Sequence, residues 1–134
     1  MRARLAEELA HLREFFSAVE HMEHGGVDWF RVPSYRFPPG WRLGDKEVDG
    51  ASIVFKLVAT YPGGEPYGFA APAGINFKGK PPGNPGSPVS PPYPGDWQHF
   101  SWAPEGWSPS ANPREGSNLL AWVRSFAKRL AEGA

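Results

Sequence analysis

The stretch Trp97-Gln98-His99-Phe100-Ser101-Trp102, followed after a short turn by Trp107-Ser108-Pro109, places three of the chain's six tryptophans within eleven positions. Each indole carries a large apolar area that water solvates poorly. Rings at this density must cover a core, line a groove or meet a partner. The run is preceded by a segment studded with Pro81, Pro82, Pro85, Pro88, Pro91, Pro92 and Pro94, and is followed by the last helical pattern. Residues upstream must therefore supply a small sheet for the rings to lie on.

At 134 residues the chain has the size of one domain, 1–134, with a single hydrophobic core. Lys plus Arg and Asp plus Glu both count 14. That balance argues against an electrostatic nucleic-acid binder, which would carry a basic face. There is no cysteine, so disulfides, thiolate metal sites and a cysteine nucleophile are excluded. With no signal-peptide pattern and no long apolar run, the expectation is a soluble, cytoplasmic protein with no membrane association. Glycine and proline reach 16 each and cluster, which predicts long ordered loops around a modest regular core.

Leu5, Leu9, Leu12, Phe16 and Val19 recur at helical spacing, predicting a helix over 3–22 stopped by Gly25-Gly26. His21 and His24 would then lie near one helix face, where a metal is conceivable. With no third ligand nearby, a solvated helix end is preferred, and no metal or cofactor is expected. Residues 27–37 are aromatic and β-branched, predicting one or two strands. Pro33 marks an edge strand or a break. A turn is predicted at Pro38-Pro39-Gly40-Trp41 and a hairpin connection at 45–50.

Residues 52–60 predict a strand apolar on both faces, hence central or covered. It ends in the turn Tyr61-Pro62-Gly63-Gly64-Glu65-Pro66, and a short strand is expected over 67–71. Residues 72–94 show no periodicity. They read as an ordered, proline-stiffened flap packed by Ile75, Phe77, Val89 and Tyr93. Asn112-Pro113-Arg114-Glu115 has the composition of a helix start, although Gly116 and Ser117 weaken the first turn and allow a slip to Ser117. Leu119, Val123, Phe126 and Leu130, broadened by Trp122, form the stripe of a helix ending near Glu132-Gly133. The order predicts an α+β protein with helices packed on an antiparallel meander of about four strands.

His99 and Ser101 are two apart and would share one face of a strand, with Gln98, Phe100 and Trp102 on the other. They are the candidate catalytic pair, with His99 as base, Ser101 as nucleophile and Asp96 near enough in sequence to orient the imidazole. The alternative is purely structural: His99 and Ser101 satisfying loop and backbone hydrogen bonds. Trp41, Trp97, Trp102 and Trp107 are the candidate partner-binding aromatics. Packing under the flap is preferred for Trp97 and Trp107, while Trp41 and Trp102 neighbour turns and are expected to be more open.

The layout resembles the E2 ubiquitin-conjugating (UBC) superfamily. Tyr61-Pro62-Gly63-Gly64-Glu65-Pro66 is similar to that family's Tyr-Pro-x-x-x-Pro turn between its third and fourth strands. The 72–94 segment stands where the active-site flap would be. Trp107-Ser108-Pro109 is similar to the Trp-x-Pro that follows the catalytic cysteine. Pro38-Pro39-Gly40-Trp41, Trp97-Gln98 and the run from Ser101 to Trp107 resemble a bacterial branch, prokaryotic E2 family E. That branch is associated with multi-ubiquitin-like proteins, E1-like enzymes and JAB-type proteases.

Three departures accompany the likeness. The family's cysteine lies roughly eight residues before that tryptophan, and counting back from Trp107 reaches His99. The family's His-Pro-Asn motif is missing, with Gly83-Asn84-Pro85 its nearest echo. Typical family members also carry further helices. Thioester transfer needs a low-pKa thiolate, which neither serine nor histidine supplies. The resemblance therefore implies a non-catalytic E2-like protein that binds a ubiquitin-like or E1-like partner. The alternatives are an E2-type carrier enzyme with its cysteine replaced, Ser101 being the first suspect, or with a noncanonical His99/Ser101 site. A module lined with aromatics that binds a small molecule or glycan is a further alternative.

Overall fold

Gly25 and Gly26 both adopt positive φ, 59° and 77°. Two such residues form the tight hairpin turn that matches the twist of the strands they join. In the computed structural model, which describes residues 2–83 and 90–134, they connect β1 (Glu20–His24) to β2 (Val27–Arg36). The two strands pair antiparallel from Glu20↔Arg31 to His24↔Val27. This corrects the helix expected over 3–22. Helix α1 spans Ala3–Arg13 only, and the chain reverses over 14–18. The Arg13 guanidinium closes that reversal with bonds of 3.0 and 2.9 Å to the Val19 carbonyl. Phe16 and Val19 still turn inward, so the apolar spacing reports the buried residues although the backbone that buries them has changed.

The remaining elements are β3 (Trp41–Leu43), β4 (Lys46–Glu47), β5 (Gly50–Lys56), β6 (Phe69–Pro72), β7 (Ile75–Phe77), β8 (Trp97–Phe100) and α2 (Leu119–Ala131). An antiparallel sheet has the order β1-β2-β5-β6-β8, and a smaller one the order β4-β3-β7. The expected α+β class with antiparallel strands holds, but among the described residues there are eight strands in two sheets where a single meander of about four was expected; β5 is central, as its two apolar faces required. β2 is interior as well. Pro33 therefore marks no edge and no break: it sits at a bulge between Val32 and Tyr35, where Ser34 takes φ 56°.

The 72–94 segment is more than a flap. Its first part supplies β7, which pairs with β3 from Trp41↔Phe77 to Leu43↔Ile75. Its last described part lays Tyr93 on the outer face of the large sheet, against Trp29, Val54 and Ala70. Val89 and most of Gly83-Asn84-Pro85 lie outside the described residues.

Both helices cover the inner face of the large sheet. Phe126 is the centre of that core, with ring centroids 6.0 Å from Tyr35, 5.6 Å from Phe55, 4.4 Å from Phe69 and 5.0 Å from Trp122. The cap of α2 is Asn118, whose side chain accepts from the Ala121 N–H at 2.9 Å. Asn112 instead makes a local turn, accepting from the Arg114 N–H at 3.0 Å. The helix cannot begin at Asn112 because Gly116 bridges to Pro109 with φ 64°, and a Cβ there would lie 2.9 Å from the Ser108 carbonyl. Among the described residues no helix is long and apolar enough to cross a membrane.

Candidate functional site

The Tyr-Pro turn, the Trp-Ser-Pro segment and both helices, far apart in sequence, converge at one corner of the fold. Trp107 donates its indole N–H to the Pro62 carbonyl at 2.7 Å, and its ring centroid lies 5.8 Å from that of Tyr61. The Tyr61 hydroxyl donates to Glu8 of α1, and the same carboxylate oxygen accepts the Leu119 N–H at the start of α2, 2.8 Å away. Arg4 holds the other Glu8 oxygen at 2.9 Å. Burial pushes the Tyr61 hydroxyl far above the usual phenol range, and its bond to Glu8 and that group's negative charge push the same way. A carboxylate here meets the free N–H groups and positive end of a helix, which is where a buried anion is best tolerated.

Sequence reasoning missed Glu8. The signal was present: it lies three residues after Leu5 and four before Leu12, inside the apolar stripe of α1. A charged residue in such a stripe has to find partners in the interior.

Around this corner the two halves of the aromatic run separate. In β8, Ala70↔His99 and Phe69↔Phe100 are register partners. Phe100 turns inward, stacked 4.8 Å from Phe69, so His99 takes the outer face. Below the single pair Val54↔Ala70, β5 and β6 part. The Gly68 N–H turns to the Trp102 carbonyl at 2.8 Å. The parting leaves a groove of about 400 Å³ whose walls include Trp29, Lys56, Tyr67, His99 and Ser101. The structure thus brings His99 and Ser101 to one groove. Asp96 is exposed, and its backbone carbonyl accepts the Ala73 N–H. The groove is equipped to bind: an ammonium 5.8 Å from the Trp29 ring, an imidazole, a hydroxyl and an exposed phenol.

The four tryptophans have different fates. Trp41 is fully buried, and its indole N–H donates to the Leu130 carbonyl at 2.9 Å. The expectation that it is an open, partner-binding residue is corrected: it ties the small sheet to the end of α2. Trp97 is half-buried against the outer-face cluster of Trp29 and Tyr93. Trp102 is also half-buried, with its N–H on Ser125 Oγ at 3.1 Å. Trp102 and Trp107 flank a smaller groove of about 180 Å³ against α2.

His21 and His24, weighed as helix-borne metal ligands, lie instead on β1, three apart and therefore on opposite faces. His21 reaches Asp28 across the hairpin at 2.8 Å. Among the described residues no group of three or more His, Asp and Glu side chains is placed to hold a metal ion.

Comparison of the chain with protein-family models, with curated proteins and with solved structures gave no match. Its function must be argued from this geometry and from the motifs themselves.

Proposed function

We propose that the chain is a non-catalytic E2-like protein of a bacterial ubiquitin-like conjugation system, which binds a ubiquitin-like or E1-like partner. The observation that carries this reading is the bond from Trp107 to the Pro62 carbonyl. It joins the Trp-Ser-Pro and Tyr-Pro motifs, two distant segments that each resemble a UBC-superfamily motif. The order of elements is compatible with that likeness: a first helix, antiparallel strands, a proline-rich segment, then a helix after Trp107. Between the two motifs the chain offers His99 and Ser101 where the family would have a thiol. Without a thiolate, thioester transfer has no carrier atom, which leaves binding as the activity.

The half-buried Trp102 and Trp107, at a groove beside α2, supply aromatic surface of the kind that dominates protein interfaces. The carrier-enzyme reading keeps one supporting observation, that His99 and Ser101 share a groove. Intact mass spectrometry separates the two. After incubation with ATP, an E1-like enzyme and an activatable ubiquitin-like protein, the expected mass of this chain is unchanged. An adduct mapped to Ser101 or His99 would establish the carrier reading instead.

A further inference from the structure

The end of β2 and the C-terminal half of α2 leave a groove of about 580 Å³ that shares no lining residue with the two described above. Its floor is aromatic. Phe16, half-buried, stacks on the buried Tyr35 with centroids 5.9 Å apart and planes within 7°, and the buried Phe37 lies beneath the same groove. The Tyr35 hydroxyl is already satisfied, donating to the Val123 carbonyl at 2.6 Å, so the floor makes no polar demand. Ala127 and Ala131, one helical turn apart on α2, keep one wall low enough for another backbone to approach.

The rim is what selects an occupant. Arg36 and Arg124 are both exposed, and neither has a carboxylate partner among the described residues. Asp49 lines the same groove but pairs with neither arginine. The Arg124 guanidinium lies 4.6 Å from the ring of Phe15, which is 54% exposed and extends the apolar surface beyond the groove. An exposed phenylalanine beside a guanidinium group, next to an apolar groove, is a composition common at interface anchors. The arginines stand on separate elements along an open groove, which suits a chain running through it better than one small carboxylate.

We propose that this groove docks a short amphipathic segment of a partner protein. Apolar side chains would lie on Phe16, Ala127 and Ala131, above the buried Tyr35 and Phe37, and flanking Asp or Glu would face Arg36 and Arg124. The proposal does not depend on the E2-like reading, because it uses other residues.

The test is a chemical-shift titration of the isotope-labelled full chain with three probes. These are a peptide of about twelve residues with Leu and Phe at helical spacing flanked by Glu, the same peptide with Lys for Glu, and octanoate. The Glu peptide is expected to shift Phe16, Phe37 and Ala127 saturably. The double substitution Arg36→Glu/Arg124→Glu is expected to weaken it roughly tenfold or more and to favour the Lys peptide. Both substitutions are at exposed positions, and Ala127→Glu provides a second block from the opposite wall. Several results would overturn the proposal: no saturable shifts with the Glu peptide up to about 1 mM, equal binding of both peptides, shifts centred elsewhere, or octanoate matching the peptide.

Discussion

Replacing Glu8 with alanine is expected to lower the unfolding free energy by roughly 3–5 kcal/mol, the cost of breaking a buried charged network from one side. Glu8 is 1% exposed and accepts from Tyr61, Leu119 and Arg4. Its removal strands a phenol, a helix N–H and a guanidinium, each losing a partner in the interior. Domains of this size have about 5–15 kcal/mol in total, so Glu8→Ala would be marginal. Glu8→Gln keeps an acceptor for the Tyr61 and Leu119 donors and should lose less. Pairing Glu8→Ala with Tyr61→Phe removes one stranded donor and should restore part of the loss. Urea denaturation of the four proteins checks this. A loss below about 1 kcal/mol for Glu8→Ala would mean that the carboxylate does not bind the two helices and the Tyr-Pro turn together.

Trp41→Ala is expected to cost a similar amount, about 3–5 kcal/mol, by the cavity left when a fully buried indole is deleted. The Leu130 carbonyl also loses its donor. Phe37, Phe77 and Phe100 surround the ring, at 5.6, 5.5 and 5.9 Å between centroids. Collapse is unfavourable where so many rigid rings meet. The half-buried Trp102 should tolerate alanine better, since less of its area leaves water on folding. Thermal melts of the two variants decide the matter. If Trp41→Ala melts like the native chain while weakening a partner, Trp41 is a surface residue after all, and the small sheet is not anchored through it.

The elements legible in the sequence were those whose signal is local. β5 is apolar on both faces, and it is central. The stripe of Leu119, Val123, Phe126 and Leu130 is buried as α2. The misread elements are those where a distant residue decides. The spacing of Leu5 to Val19 fits one helix, but the ladder from Glu20 to His24 against β2 outweighs continuing it, and Gly25-Gly26 serves as a hairpin where a helix stop was expected. Asn112-Pro113 has the composition of a cap, but Asn118 and Glu8 supply the donors and acceptors that α2 uses. Trp41 neighbours a turn, which suggested exposure, yet its burial is set by α2 some ninety residues later. At the candidate site, alternation in β8 placed His99 and Ser101 in one groove, while Lys56 and Tyr67 enter it only through the parting of β5 from β6.

The proposed function is binding within a ubiquitin-like system. Its most direct test is a calorimetric titration of the full chain with a purified bacterial multi-ubiquitin-like protein and with a purified E1-like enzyme. The account predicts saturable one-to-one binding to at least one of them, weakened when Trp102 or Trp107 is replaced by alanine in a variant shown to remain folded. No heat of binding to any of them, with the chain folded throughout, would contradict it.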